Sequence, residues 1–454
     1  MASKKPPSAR FAAIETLRLL KKERKPVGRI FDTILKSNPL QGADRQLATN
    51  IIYGVLRYQE SLDRMLGKLC KQHLKKLHPF VHQALNVGLY QIIYLDRIPD
   101  SAAVNESVKA ARAARLPKRL HGFINGVLRN SVRKREELLA LINNPDKPIL
   151  NHPDWLVKRW IKRFGNEKSL AICLQNSKQP SLILQSNSCI STRDALLEQF
   201  DHAEITAKKC TFSDSGIELM GYHGAISALP GYSDGLFQVQ DQGAQLLCKL
   251  LLPIPEQGEY LDACAGSGGK SSTLLQLMNG ANAKLTAIEP EKGRQQRFKQ
   301  NMARLHPGMT IPLFQGTLQE FSRESDKRFH GIFLDAPCSG TGVTGRHPDI
   351  RWNRREEDFI KYQKTQLELL QTAAALLLPG GLLIYATCSL EEEENEQVIE
   401  QFLQKHPDFS VENCSEYFPP ESGLITSDGF FAPHPQPGMD GFFGARLRKN
   451  STDR

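Results

Sequence analysis

At 454 residues, with 40% hydrophobic and 24% charged side chains, the chain is too long for one ordinary domain and too balanced in composition for a disordered or fibrous protein. No apolar run reaches transmembrane length, and MASKKPPSARFAA has basic residues but not the apolar segment and small-residue cleavage site of a secretory leader, so a cytoplasmic protein without membrane partners is expected. The net charge of +10 is uneven: residues 1–150 carry 28 Lys and Arg against 12 Asp and Glu, 151–200 carry 7 against 4, and 201–454 carry 24 against 33. A basic excess confined to the first 200 residues suggests a nucleic-acid grip attached to a catalytic body; a solvated Lys-rich helical surface is the plainer reading.

Residues 8–140 read as helices. SARFAAIETLRLLKKE repeats apolar residues at Phe11, Ile14, Leu17 and, less regularly, Leu20, and DRQLATNIIYGVLRYQESLDRMLGKL, AVNESVKAARAARL and GFINGVLRNSVRKREELLALI continue the period. No alternating strand pattern interrupts them, which predicts an all-α bundle over 1–142. NNPDKPILNHPD, 143–154, has three prolines and reads as a linker. WLVKRWIKRFG is a basic helix with two tryptophans; SLILQSNSCI reads as a strand, STRDALLEQF as a capped helix and GIELM as a strand, giving a small α+β module over 155–235. From 236 the strands EYLDAC, KLTAIE, IPLF, GIFLDA and GLLIYAT alternate with the helices GGKSSTLLQLM, EKGRQQRFKQNMARL and FIKYQKTQLELLQTAAALL. Continuous apolar strands between amphipathic helices predict a parallel sheet covered on both faces, over 236–450.

LDACAGSGGKS, 261–271, follows the first of these strands and opens a helix. Glycines there let the backbone turn tightly and approach a ligand, and the helix start offers free N–H groups. Gly269-Lys270-Ser271 fits the end of a phosphate-binding P-loop, but Cys264 stands where that motif begins with glycine. Glu289, at the tip of the second strand, favours a nucleoside-containing cofactor, whose ribose hydroxyls an acid at that place would bind.

The nine cysteines are widely spaced, with no CxxC pair, so neither a zinc site nor a redox motif is suggested and no metal is expected. Most such cysteines are small buried apolar residues. Cys338 in GIFLDAPCSGTG and Cys388 in IYATCSLEEEENEQ differ, because each follows an apolar strand and precedes a polar loop. With S-adenosyl-L-methionine as cofactor, two thiols suit one reaction. Carbon 5 of cytosine becomes nucleophilic enough to take a methyl only after a thiolate adds to C6, and that thiol must afterwards be expelled. Ser389 and Glu392 have capping-box spacing, which predicts a helix starting just after Cys388, with the adjacent glutamates as its solvated first turn. Asp335, at the other strand tip, could hydrogen-bond the N3/N4 edge of cytosine, and Lys270 could contact the base or the nearby carboxylates.

DAPCSGTGVTGRHPDIRW, YATCSLEEEENE, DACAGSGGKS, FQVQDQGAQL and DGFFGARLRK resemble the motifs of RNA cytosine-5 methyltransferases. DRQLATNIIYGVLR, IPDSAAVNESVKAAR and FINGVLRN resemble the RNA-binding NusB family. These resemblances imply a NusB-like RNA-binding bundle, an RRM-like module and a Rossmann-like methyltransferase domain that uses S-adenosyl-L-methionine. The implied substrate is one cytosine of structured RNA, 16S rRNA or a small-subunit assembly intermediate, and the implied state is a monomer. By the same resemblance Cys388 is the nucleophile and Cys338 assists release, with Asp335 and Lys270 beside them. Cys264, Ala265, Gly266, Ser267, Gly268, Gly269, Lys270, Glu289 and Asp335 would hold the cofactor. Two positions depart from the family pattern: Ser267 replaces the usual proline of the glycine loop, and Thr317 stands at the end of the third strand in place of an aspartate. Methylation of tRNA, and a non-catalytic assembly or antitermination factor, are the alternative functions. His347 and Arg351, in the loop after Cys338, are candidates for RNA contacts or, equally, for a structural role in that loop.

Overall fold

The computed structural model describes residues 8–71, 73–418 and 422–451. The stretch 1–7, where a secretory leader would begin, lies outside them. The chain divides into two compact units. One runs through Lys178 and also takes in Thr344–Arg354; the other comprises Gln179–Val343 and Arg355 onward.

The first unit is helical throughout. Its opening helix, Ala9–Glu23, starts where the Ser8 hydroxyl accepts the Phe11 N–H at 3.2 Å and ends with Lys21 and Lys22 in its last turn, where basic side chains complement the carbonyl end. Ile14, Leu17 and Leu20 are buried as their spacing predicts, together with Ala9, Ala12 and Ala13, whereas Phe11 is only partly buried against the same cluster. The helix Pro79–Tyr94 is buried from Val81 to Ile92 with a single break, so it forms the centre of the bundle. The proline-rich 143–154 stretch differs from a free linker at its end. Ile149, Asn151 and His152 are buried, and the Asn151 side chain accepts the backbone N–H of Ser61 at 3.0 Å and its hydroxyl at 3.1 Å. The basic helix Asp154–Phe164 and its successor Asn166–Asn176 group with this unit, with Trp160 fully buried.

The second unit contains two sheets. Strands β1 (Leu182–Ser186), β2 (Ala207–Lys209), β3 (Gly216–Leu219) and β4 (Phe237–Val239) form an antiparallel sheet in the order β2-β3-β1-β4. Strands β5 (Gln257–Asp262), β6 (Asn282–Ile288), β7 (Leu313–Phe314), β8 (Phe329–Asp335), β9 (Leu377–Thr387), β10 (Phe409–Glu412) and β11 (Phe443–Lys449) form the larger one, in the order β10-β11-β9-β8-β5-β6-β7. The five strands expected from sequence are its parallel part, β9-β8-β5-β6-β7. The sheet is mixed rather than wholly parallel, because β11 pairs antiparallel with both β9 and β10. Alternate residues of the central strands enter two separate cores, Leu261, Leu334, Leu383 and Tyr385 on one face, Tyr260, Phe333, Ile384 and Ala386 on the other. That double burial is why these strands are apolar throughout.

Strand order reverses at β5. The chain runs outward through β6 and β7, then returns to lay β8 on the other side of β5. In open α/β sheets, ligands bind outside the carboxyl ends of the strands at such a reversal.

Candidate active site

The carboxyl ends of β5, β8 and β9 carry the predicted chemistry. Asp262 and Asp335 are the last residues of β5 and β8, and Cys388 immediately follows β9. In the sheet register Asp335 lies opposite Ala386, so Cys338 and Cys388 emerge from neighbouring strand tips. Their sulfurs are 3.2 Å apart, both thiols free, and the Cys388 N–H donates to the Cys338 sulfur at 3.4 Å. The hydrogen bond with Cys388, followed by burial, holds the Cys338 pKa well above the usual thiol range. Lys270 Nζ donates to Asp335 Oδ2 at 2.6 Å. Burial pulls the Lys270 pKa down, but the charge and hydrogen bond of Asp335 outweigh it, so the ammonium stays firmly protonated. Cys388 also acts on Lys270 electrostatically, and Asp335 and Glu394 on Cys338, so these groups form one cluster.

The loop after Cys388 differs from the expected capped helix. A 3-10 turn, Glu392–Glu394, comes first, and the helix starts only at Glu396. The Ser389 hydroxyl oxygen accepts the Glu391 N–H at 3.1 Å and its O–H donates to Glu394 Oε1 at 2.7 Å, so it caps no helix. Nor are the glutamates a solvated turn. Glu391 and Glu394 are both fully buried, and Glu392 alone of the run is exposed. Glu394 Oε2 accepts the Ser339 N–H at 2.8 Å and the Gln366 amide at 3.0 Å; Gln366 also donates to the Pro337 carbonyl at 3.0 Å. The Ser339 and Ser389 hydroxyls lie 3.1 Å apart, and the Gly342 N–H donates to the Cys388 carbonyl at 3.0 Å. One buried carboxylate therefore ties the Cys338 loop to the Cys388 loop. Burial raises the Glu394 pKa, against the hydrogen bonds from Ser339, Ser389 and Gln366.

The glycine loop turns as its sequence predicts. Gly266 and Gly268 have φ of +59° and +88°. A Cβ on Gly268 would fall 2.8 Å from Met302 Cε, whereas Gly266 has nothing within 4 Å, so the former packs against the protein and the latter presents bare backbone. Ala265 is buried with its N–H on the Ile288 carbonyl at 2.9 Å, Cys264 is half-buried, and Gly269 begins the helix Gly269–Leu277. Ser267 is fixed from the helix Lys292–Leu305, where Asn301 donates to its carbonyl at 2.8 Å and Arg297 to its hydroxyl at 3.3 Å. Glu289 is 3% exposed; its Oε1 accepts the Glu291 N–H at 2.8 Å, and Arg294 stands 3.9 Å from Oε2. Gln238, from FQVQ, donates to the Gly269 carbonyl at 3.0 Å and to Gln185 at 2.6 Å, which anchors the loop to the smaller sheet.

Two residues take structural places instead of ligand-facing ones. Thr317 caps the helix Leu318–Glu324 in a full capping box with Glu320. Arg351 is no RNA contact: it is fully buried and donates to the carbonyls of Asn151, Asn176 and Thr344 at 2.8–2.9 Å. His347 is exposed. Sequence reasoning passed over Asp262, which is fully buried; its Oδ2 accepts the Ser271 hydroxyl at 2.6 Å, its Oδ1 has no hydrogen-bond partner of good geometry among the described residues, and burial raises its pKa to about 6 against the opposing pull of Ser271 and the Cys264 backbone. A charge at the end of an otherwise apolar strand was the available signal. Glu394 had none, since nothing distinguishes it within four consecutive glutamates.

Residues 249–448 match the family of the 16S rRNA methyltransferases RsmB/F, residues 152–224 the ferredoxin-like domain of RsmF/B-like methyltransferases, and residues 7–133 the NusB family. The chain is 32% identical to the probable ribosomal RNA small subunit methyltransferase B of Bacillus subtilis, over 97% of this chain and 99% of that one. The chain belongs to the RsmB/F family of rRNA methyltransferases. It is 36% identical to ribosomal RNA small subunit methyltransferase B of Serratia proteamaculans, covering 93% of this chain and 95% of that one. Among solved structures, PH0851 superposes with a TM-score of 0.75 at 24% identity over 98% of this chain and 99% of that one, a likeness of fold. This RsmB/F member is thus an RNA methyltransferase with a NusB-like helical bundle, a ferredoxin-like sheet and a Rossmann-like catalytic sheet.

Proposed function

We propose that this enzyme methylates C5 of one cytosine in 16S rRNA through a covalent adduct on Cys388. The single observation that carries this reading is the pair of thiols, 3.2 Å apart at neighbouring strand tips, beside the Lys270–Asp335 ion pair. Cys388 as thiolate forms a bond to C6, and the C5=C6 electron pair moves to C5, which takes the methyl. Solvent water accepts the C5 proton, the C–H electron pair re-forms C5=C6, and the C6–S bond breaks with its pair returning to the Cys388 sulfur as thiolate. Cys338, kept protonated by its hydrogen bond and burial, is suited to hold a proton next to that sulfur as it leaves. Asp335 binds the N3/N4 edge of the base, and Lys270 orients Asp335.

S-adenosyl-L-methionine supplies the electrophilic methyl. The residues present fit it: bare backbone at Gly266, the free N–H groups at the start of Gly269–Leu277, and a buried acid at the end of each of the first two parallel strands. Glu289 would hold the ribose hydroxyls, Cys264 to Lys270 would line the cofactor, and the unpartnered Oδ1 of Asp262 would accept a hydrogen bond from it. The division into 1–142, 155–235 and 236–450, a monomeric state and action in the cytoplasm complete the proposal. The basic first 200 residues would hold the RNA by phosphate contacts.

Bisulfite sequencing of total RNA from cells with and without the gene tests the substrate. Loss of one protected cytosine in 16S rRNA is expected; loss in tRNA moves the target, and no loss anywhere removes the reaction. Cys338→Ala tests the roles. A covalent protein–RNA complex should persist through denaturing electrophoresis, and normal methylation without any such complex would overturn the release role.

A further inference from the structure

The helical unit holds an open cleft of about 930 Å³. Two segments distant in sequence meet around it. Lys21 and Lys22 come from the last turn of Ala9–Glu23, while Lys71 and Lys75 come from the stretch that follows the helix Gln59–Leu69. All four are exposed, and none has an ion-pair partner among the described residues. The other charged groups of the cleft are already committed. Arg18 pairs with Glu15 at 2.6 Å, and Asp63, the one carboxylate in the lining among the described residues, accepts from His82 at 2.7 Å and offsets part of the charge of Lys21 alone of the four. Four like charges converging on one hollow repel one another, a cost that an anionic occupant would reverse. The same lining includes the apolar Leu74 and Leu77 and the His73 ring.

We propose that this cleft binds an unpaired stretch of the RNA substrate, with phosphates on the four lysines and a base against Leu74, Leu77 and His73. This rests on the reading of the protein as an RNA methyltransferase and adds to it where, and by what chemistry, the helical unit grips. The contacts are to backbone and base face, so the cleft supplies affinity without choosing sequence. An acidic protein segment would match the charge but would leave the apolar Leu74 and Leu77 and the His73 ring without a counterpart.

The test uses the full-length enzyme and a mixed-sequence single-stranded RNA, with affinity measured across a potassium chloride titration. Each single-strand phosphate neutralised contributes roughly 0.7 to the slope of log affinity against log salt. Replacing Lys21, Lys22, Lys71 and Lys75 together by Ala should therefore lower the slope by about 3, and replacing Lys71 and Lys75 alone by about half that. The four Lys→Arg replacements should restore it. Methylation of saturating RNA should keep its kcat in the Ala variant while KM rises. An unchanged slope in a folded Ala variant would overturn the cleft as an RNA site, as would a slope that falls but is not restored by arginine. If the wild type failed to methylate RNA while the slopes still differed as stated, the methylation reading would fall and the cleft would stand.

Discussion

Around the two thiols nearly every polar group is already spoken for. Glu394 accepts from Ser339, Ser389 and Gln366, Lys270 grips Asp335, and Thr341 accepts the Leu390 N–H at 2.9 Å. In the helical unit's cleft the reverse holds, and four exposed lysines stand there with no ion-pair partner among the described residues. The difference follows from the role proposed for each. A site that makes and breaks bonds needs its groups held to a fraction of an ångström, and a low-dielectric surrounding strengthens each hydrogen bond that holds them. A surface that grips a flexible polyanion gains from charge that is mobile, hydrated and unassigned until the partner arrives.

Substitutions at the thiol site should therefore have large, local and chemistry-specific effects, unlike the graded, salt-dependent effects of the lysines. The largest is expected at Cys388, where Cys388→Ala should lower methyl transfer by at least about 10³-fold and leave RNA affinity and its salt slope untouched. Retained activity in single-turnover assays would break the contrast outright. Next comes Lys270→Ala, which strands Asp335 and should reduce kcat by roughly 10²-fold, with Lys270→Arg retaining more of it. Glu394→Ala leaves the Ser339 N–H, the Ser389 hydroxyl and the Gln366 amide without their shared acceptor. It should cost about 2–4 kcal/mol in urea unfolding, whereas Glu394→Gln, which keeps one acceptor, should cost about 1 kcal/mol. Equal stability of the Ala variant and wild type would mean that the two loops do not depend on this tie.

Asp262 sharpens the comparison through pH. Its folded pKa of about 6 lies above the usual 3.8 of an aspartate because burial disfavours the charged form. The folded state therefore keeps a proton that the unfolded chain has released, so this residue favours folding below the ordinary aspartate value and the benefit is lost as pH rises through about 6. Relative to Asp262→Asn, the wild type should lose about 3 kcal/mol of unfolding free energy between pH 3 and pH 7. A pH-independent difference would show that the carboxyl is solvated. The smallest effect is expected at Thr317→Ala, which removes a helix cap for about 1 kcal/mol and should leave kcat unchanged. A large rise in the KM for S-adenosyl-L-methionine would instead give Thr317 a ligand-facing role.

The five parallel strands were legible because strands buried on both faces are apolar without interruption, a pattern that needs no partner to be seen. The antiparallel β11 was not, since FGARLRK mixes two arginines into the run, and Arg446 is buried by partners distant in sequence, Glu412 at 2.6 Å, the Leu252 carbonyl at 2.7 Å and the Tyr417 ring. The capping-box reading at Ser389 failed because the same spacing serves a buried network as well as a helix start. Arg351 stayed open between an RNA contact and a structural role because a guanidinium is ordinarily exposed, and only the packed backbone carbonyls decide for the structural one.

The sequence by itself determined the succession of helices and strands, the placing of a thiol after each of two apolar strands, the turn of the glycine loop and the concentration of positive charge in the first 200 residues. These depend on side-chain periodicity, backbone freedom and counting, all of them local properties. Tertiary structure alone decided that β8 and β9 lie side by side and bring the sulfurs within 3.2 Å, that Glu394 among its neighbours is the buried tie, and that lysines some 50 residues apart share one cleft. Each is a meeting of distant segments, set by strand pairing and helix packing, and neither leaves a mark in the residues on either side of the groups it unites.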